Sequence, residues 1–348
     1  MNPDLSRLPT TDPAQILRYR DRQYAAELIA VALRHLDLFT WLAEHEGATT
    51  QDLIAAFEFA PRPADVLLTL CRANGFLTTD DQDRHQLTPL AREHLVASSP
   101  WCMAPYYQPI EDTPVTQGFL RVLRTGKPAN WQARAEGDDW HASMLEENFA
   151  RDFTQLMNCR GLALGQALAQ QSAALLAGKR RLLDVGGGSG IYAATLVAAH
   201  SALRASVLEQ PPVDEIARRA IEGHELADRV EVISGDMFRD TWPDGHDVVL
   251  LSNVLHDWDL PEVRTLLQRA HAALPAGGLL VIHEAFLRDD KTGPLPVAEY
   301  SALLMNITQG KCYTPREYGV ILEELGFEVG PYQDTLADRG FMTATRPA

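Results

Sequence analysis

Leu182-Leu-Asp-Val-Gly-Gly-Gly-Ser-Gly190 carries more of the argument than any other stretch of this sequence. An apolar run ends in glycines and gives way at once to the helical pattern of residues 191–199, which reads as strand, tight turn, helix. Glycine lets the backbone turn sharply and approach a ligand with no Cβ in the way. A dinucleotide site is the nearest alternative, and two features oppose it. The Gly-x-Gly-x-x-Gly spacing that begins at Gly186 and Gly188 needs a third glycine where Ile191 stands. Asp184, two residues before the first glycine, would repel a pyrophosphate and attract a cationic amino group.

Working outward, strand-like runs at 181–185, 205–208, 230–233, 248–252 and 279–283 alternate with helical segments. Such alternation predicts an α/β domain over 179–348, a Rossmann-like doubly wound parallel sheet with its ligand at the strand C-termini. Glu209 ends the second strand, where a carboxylate accepts hydrogen bonds from ribose hydroxyls. Gly235-Asp236-Met237-Phe238 ends the third, with an acid for an adenine amino group and two large apolar side chains to cover the ring. Any one of these could be a surface acid or a core residue. At three successive strand ends they point to one bound nucleoside.

The N-terminal region, 14–100, reads differently. Residues 24–42 are apolar at helical spacing, Thr49 to Asp52 opens a helix in capping style, and a third helix starts at Pro63. Phe76–Thr79 and His85–Thr88 flank an acidic turn as a short hairpin, completing a helical winged-helix pattern. DNA binding is disfavoured, because residues 50–100 hold four Arg and no Lys against seven acids, and the wing tip itself is acidic. Dimerisation through apolar faces is the expected use. Residues 101–178 read as a helical linker that contributes to an acceptor pocket.

Composition narrows the class further. The chain has 348 residues, 46% hydrophobic, long enough for two domains. A formal net charge of −16 argues against nucleic-acid partners. No apolar run reaches the length of a membrane span and no secretory signal is evident, so no membrane partner and a cytoplasmic setting are expected. Four scattered cysteines, Cys71, Cys102, Cys159 and Cys312, show no metal or redox spacing.

Four motifs together resemble a known family: the glycine stretch, Gly235-Asp-Met-Phe238, Ser252-Asn-Val-Leu-His-Asp-Trp-Asp259, and Pro275-Ala-Gly-Gly-Leu279. The sequence resembles class I S-adenosylmethionine-dependent small-molecule O-methyltransferases, the plant caffeate type and their bacterial antibiotic-tailoring relatives, over nearly its whole length. The resemblance implies a winged-helix homodimer, S-adenosyl-L-methionine as methyl donor, and a small-molecule acceptor. It implies donor contacts at Asp184, Gly186, Gly188, Glu209, Gly235, Asp236, Met237 and Phe238, and at Ser252 and Trp258.

His256 lies just past the fourth strand, before a helix opened by Asp259. A histidine there can take a proton from an acceptor hydroxyl. The resemblance gives it the role of base and makes Glu284, ending the next strand, the acid that orients it; Asp257 is the alternative orienter. Phe149, Phe153 and Met157 recur along one helix face, where the resembling enzymes line their acceptor pocket, although core packing accounts for part of each. Arg160 follows on that face and could hold an acceptor carboxylate or form a salt bridge between domains. Asn306 is a further polar candidate for the acceptor. His283 should point away from the face carrying Glu284 and read as structural.

One departure stands out: plant members have glutamate in the segment Gly310-Lys-Cys-Tyr313, where this chain has Cys312, so a second acid braced against the histidine is missing. That departure keeps a rival open, C-methylation of a 2-oxo acid or an activated aromatic ring, with or without metal. A ligand-binding regulator without chemistry is the third reading. Intact Asp184, glycine turn and His256 argue against it.

Overall fold

The computed structural model describes residues 4–129 and 144–348. The chain forms two compact units, each discontinuous in sequence. One comprises residues 18–139 with 287–314; the other comprises 1–17, 140–286 and 315–348.

In the first unit the expected helices and wing are present. Thr49 caps the Thr50–Phe57 helix in a reciprocal box with Asp52: the Asp52 N–H donates to the threonine hydroxyl at 3.2 Å and the Thr49 N–H to the carboxylate at 2.8 Å. The next helix, Pro61–Ala73, starts two residues earlier than the sequence suggested, because Pro61 itself occupies a first-turn position where a missing N–H costs nothing. Strands β1 (Leu77–Thr79) and β2 (His85–Leu87) pair antiparallel. Their acidic tip is closed internally, with Asp80 accepting the Arg84 Nε–H at 2.8 Å. The amphipathic stretch at 24–42 is not one helix. It runs through Ala25–Ala30 and a π-helical turn at Val31–His35, then breaks where Asp37 takes a left-handed φ of 46° before Leu38–Glu44. Aspartate tolerates that conformation better than most residues do.

The Leu295–Ile307 helix belongs to this unit although it lies far along the chain. It is buried almost all round and packs on Pro61–Ala73. Ion pairs fasten the segment at both ends: Asp65 meets Lys291 Nζ at 2.8 Å and Lys311 Nζ at 2.6 Å. Burial alone would raise the Asp65 carboxyl, but the two ammonium groups prevail and hold it far below the usual carboxylate range. The three consecutive regions read from the sequence, 14–100, 101–178 and 179–348, therefore do not coincide with the units. The Glu147–Gln171 helix, read as linker, packs in the sheet unit, and 287–314 leaves it.

The second unit is the doubly wound sheet. Its five parallel strands are β3 (Arg181–Val185), β4 (Arg204–Glu209), β5 (Val230–Ser234), β6 (Val248–Ser252) and β7 (Leu279–Glu284), in the spatial order β5-β4-β3-β6-β7. The central strands are apolar almost throughout because helices cover both faces. Three antiparallel strands that the sequence reading did not pick out extend the edge: β8 (Glu328–Val329), β9 (Gln333–Asp334) and β10 (Gly340–Thr345), which pairs with β7. Helix 147–171 lies unusually close to the Ile191–Ala199 helix. A Cβ on Gly161 would sit 2.5 Å from Ile191, and one on Gly165 would sit 2.4 Å from Thr195. Among the described residues no helix is long and apolar enough to cross a membrane.

Candidate active site

The glycine turn follows β3 as expected. Gly186 has a φ of 64° and lies so close to Val254 and Met237 that an added Cβ would meet them at 3.2 and 3.4 Å. A Cβ on Gly187 would press on the Asp184 carboxylate at 2.7 Å. The loop is thus wrapped tightly over that acid, and only glycine permits it.

Asp184 is fully buried, and neither of its oxygens has a hydrogen-bond partner. Burial raises its carboxyl to about 7; the Ala193 N–H in the first turn of the following helix opposes the rise and Glu209 adds to it. Desolvation likewise lifts Glu209 to about 7, although Glu209 accepts the Gly188 N–H at 3.0 Å and the Gln210 N–H at 2.9 Å. An enclosed carboxylate without a donor is costly unless a cation joins it. The ammonium and sulfonium groups of S-adenosylmethionine meet that requirement, so these residues fit the group.

At the end of β5, Gly235 donates its N–H to the Glu209 carbonyl at 3.0 Å. Asp236 closes its own turn by accepting the Phe238 N–H at 2.8 Å. Phe238 and Trp258 meet edge to face with centroids 4.6 Å apart, while Met237 packs over Gly186. Glycine turn, acid and apolar cover are therefore brought together. Ser252 is engaged elsewhere: its hydroxyl pairs with His283 Nδ1 at 2.8 Å.

His256 sits in a short 3-10 turn, Leu255–Asp257, and is only 3% exposed. Its Nδ1 hydrogen-bonds to the Glu284 Oε2. The other oxygen, Oε1, accepts the N–H groups of Val254 and Leu255, each at 3.0 Å. A carboxylate accepting on both sides fixes the imidazole with its proton on Nδ1, which makes Nε2 the basic nitrogen. Asp257 lies at that other nitrogen, 3.7 Å away, not at Nδ1, and burial raises its carboxyl to about 6 against the pull of His256. Of the two acids considered for orienting the ring, Glu284 has the geometry.

Phe149 and Phe153 stack at 6.1 Å with Met157 a turn further on, all half-buried. The fully buried face of this helix is a different one, through Ala150, Thr154, Gly161 and Leu164. Arg160 donates to the Asn253 Oδ1 at 3.4 Å, within the sheet unit. Asn306 lies in the other unit, where its buried Oδ1 has no hydrogen-bond partner. Cys312, also there, is buried and donates its N–H to Ser301 Oγ at 3.0 Å. His283 is fully buried between Ser252 and Thr335, away from the Glu284 carboxylate, as the pleat requires. Among the described residues no cluster of three His, Cys, Asp or Glu side chains could hold a metal. Val254 over Gly186, Asn253 and Tyr192 were not singled out from sequence. A polar doublet, Ser252-Asn253, closing the otherwise apolar β6 was the one available signal.

Comparison with known proteins decides the family. The model for the O-methyltransferase domain matches residues 121–328. The chain belongs to this family. A 3-hydroxy-5-methyl-1-naphthoate 3-O-methyltransferase of Streptomyces sahachiroi is 36% identical over 270 residues, covering 76% of this chain and 75% of that protein. An L-tyrosine C(3)-methyltransferase of Streptomyces lavendulae is 29% identical over 315 residues, 89% of this chain and 82% of the relative. The crystal structure of a family 2 O-methyltransferase from Planctomyces limnophilus, complexed with apigenin, superimposes with a TM-score of 0.87 at 31% identity, covering 99% of this chain and 98% of that one. More distant structures of the same fold hold S-adenosylmethionine or S-adenosylhomocysteine. This O-methyltransferase is an enzyme that takes its methyl group from S-adenosylmethionine and gives it to a small molecule.

Proposed function

We propose that the acceptor is an aromatic hydroxyl, with His256 as general base and Glu284 as the residue that orients it. The observation that carries this reading is the fixed tautomer: both Glu284 oxygens are committed, one to His256 Nδ1 and one to two backbone N–H groups, leaving Nε2 to accept a proton. A phenol with a pKa of about 10 and an imidazole near 6.5 differ by roughly 5 kcal/mol if the proton moves before the methyl. The donor, when bound, supplies an electrophilic methyl on a positively charged sulfur, which stabilises the emerging phenolate beside it. Asp184 and Glu209 anchor its cationic and ribose ends, Gly186 and Gly188 admit its backbone approach, and Asp236, Met237, Phe238 and Trp258 frame the base. Gly235 and Ser252 hold strand ends in that frame. The Phe149, Phe153 and Met157 face receives the acceptor ring, with Arg160 as its polar contact.

The aromatic class is supported by the relatives, a naphthoate and a flavone among their ligands. A second reading is favoured by the tyrosine C(3)-methyltransferase: the same deprotonation makes the ring carbon next to a phenol nucleophilic, so C-methylation of an activated ring needs no new base. The enzyme acts as a homodimer in the cytoplasm on this proposal. Support comes from Trp101, Met103 and Tyr106, all exposed and close in sequence, and from four cysteines that form no disulfide with one another.

Incubation with methyl-labelled S-adenosylmethionine and a panel of phenols, catechols, hydroxynaphthoates and 2-oxo acids tests the reading. Label on a phenolic oxygen supports it, label on ring carbon selects the second reading, and label found only on 2-oxo acids ends both.

A further inference from the structure

We propose that Asn253 is a positioning residue for catalysis, the pivot that holds the His256 turn in register with the helix carrying Phe149, Phe153 and Met157. The inference rests on the reading of His256 as base.

Asn253 is the residue at which β6 ends and the turn begins, and it has a left-handed φ of 54°. Its N–H donates to the His283 carbonyl at 2.9 Å. The next two N–H groups, of Val254 and Leu255, go to Glu284, and the following side chain, His256, goes to Glu284 as well. Four consecutive residues are thus stapled to the last two residues of β7, and the staple starts at the strained position. Asparagine is among the few residues with a side chain that enter that backbone region readily.

Its side chain then ties the staple to the rest of the unit. The amide nitrogen donates to Tyr192 Oη at 3.0 Å and to Ser252 Oγ at 3.2 Å; the amide oxygen accepts from Arg160 at 3.4 Å. Tyr192 belongs to the helix opened by the glycine turn, and Arg160 to the helix of the acceptor face. One amide therefore touches the donor-binding element, the acceptor-binding element and the catalytic turn. A guanidinium can only donate, so the Arg160 contact places the amide oxygen on that side and turns the amide nitrogen toward Tyr192 and Ser252. Burial, helped by Arg339 and Arg160, lowers His283 to about 3 and keeps the ring neutral between Ser252 and Thr335. Small misplacements of a base cost rate far more than they cost binding.

The test measures kcat, acceptor KM, donor Kd and Tm for Asn253→Gly, Tyr192→Phe, the double variant and His256→Ala. Glycine keeps the left-handed backbone and removes only the side chain. We expect Asn253→Gly to lower kcat about tenfold with donor Kd and Tm nearly unchanged. Tyr192→Phe should lower kcat less, and the double variant should fall no further than Asn253→Gly, because both act through one bond. Unchanged kcat in Asn253→Gly overturns the proposal. Should that variant fail to fold, Tyr192→Phe decides alone: full turnover there also overturns it. His256→Ala separates the two claims, since full turnover in that variant sinks the base itself, whereas a dead His256→Ala beside a fully active Asn253→Gly sinks only the pivot.

Discussion

Burial holds the Asp184 carboxyl up at about 7, so it keeps its proton to a pH far above that of an aspartate in an unfolded chain. Between about pH 4 and 7 the folded protein then binds more protons at this site than the unfolded chain does, and stability falls as pH rises through that window. Glu209, also lifted to about 7, adds in the same direction. A bound cation reverses the preference, because it needs the charged carboxylate. The unliganded enzyme should therefore lose Tm from pH 5 to pH 8 through these groups, while the Tm increase caused by the donor or its product should grow over the same interval. Asp184→Asn should flatten both trends, weaken donor binding about 10- to 100-fold and leave the unliganded protein as stable or more so. A donor-induced shift independent of pH in the wild type would refute this account. At the residue scale Asp184 and Glu209 were readable from the strand ends, whereas the roles proposed for His256 and Glu284 came with the family resemblance. Asn253 was not readable, because nothing in a sequence shows which way an amide points.

Helix 147–171 shows what periodicity reveals and what it hides. Its Phe149, Phe153 and Met157 spacing was readable, yet the face it buries is set by small residues that no hydrophobic pattern marks. Gly161 and Gly165 matter for what they lack: either Cβ would overlap Ile191 or Thr195 of the neighbouring helix. Gly165→Ala should cost about 1–3 kcal/mol in chemical unfolding, and because the displaced helix carries the acceptor face, it should raise acceptor KM more than donor Kd. Equal stability in that variant would show that the two helices can separate freely. The same limit explains the stretch at 24–42. Apolar spacing predicted one helix, but the break at Asp37 depends on packing that the local pattern does not carry. The antiparallel edge, β8 to β10, escaped for a related reason: two of its strands are two residues long and exposed.

Discontinuity along the chain is the property that a linear reading handles worst. Residues 287–314 fold with 18–139, and Asp65 is where the assignment becomes visible, through ion pairs to lysines more than 200 positions away. The Leu295–Ile307 helix is buried almost all round, and nothing in its sequence shows against what. Association of two copies raises a related problem, because each chain carries a net charge of −16. Two such chains repel at long range, so a homodimer must be held by apolar contact, and the exposed Trp101, Met103 and Tyr106 are part of the apolar surface open to it. Charge repulsion is screened by salt whereas apolar contact is not weakened by it. The dimer should therefore tighten between roughly 20 and 200 mM salt, opposite to an interface built on ion pairs. Light scattering across that range checks the sign. Trp101→Lys combined with Tyr106→Glu should yield monomers with Tm within about 3 °C of the wild type, as expected when exposed positions are changed. A wild-type protein that is monomeric at every salt concentration would remove the dimer from the proposal and leave the chemistry of His256 untouched.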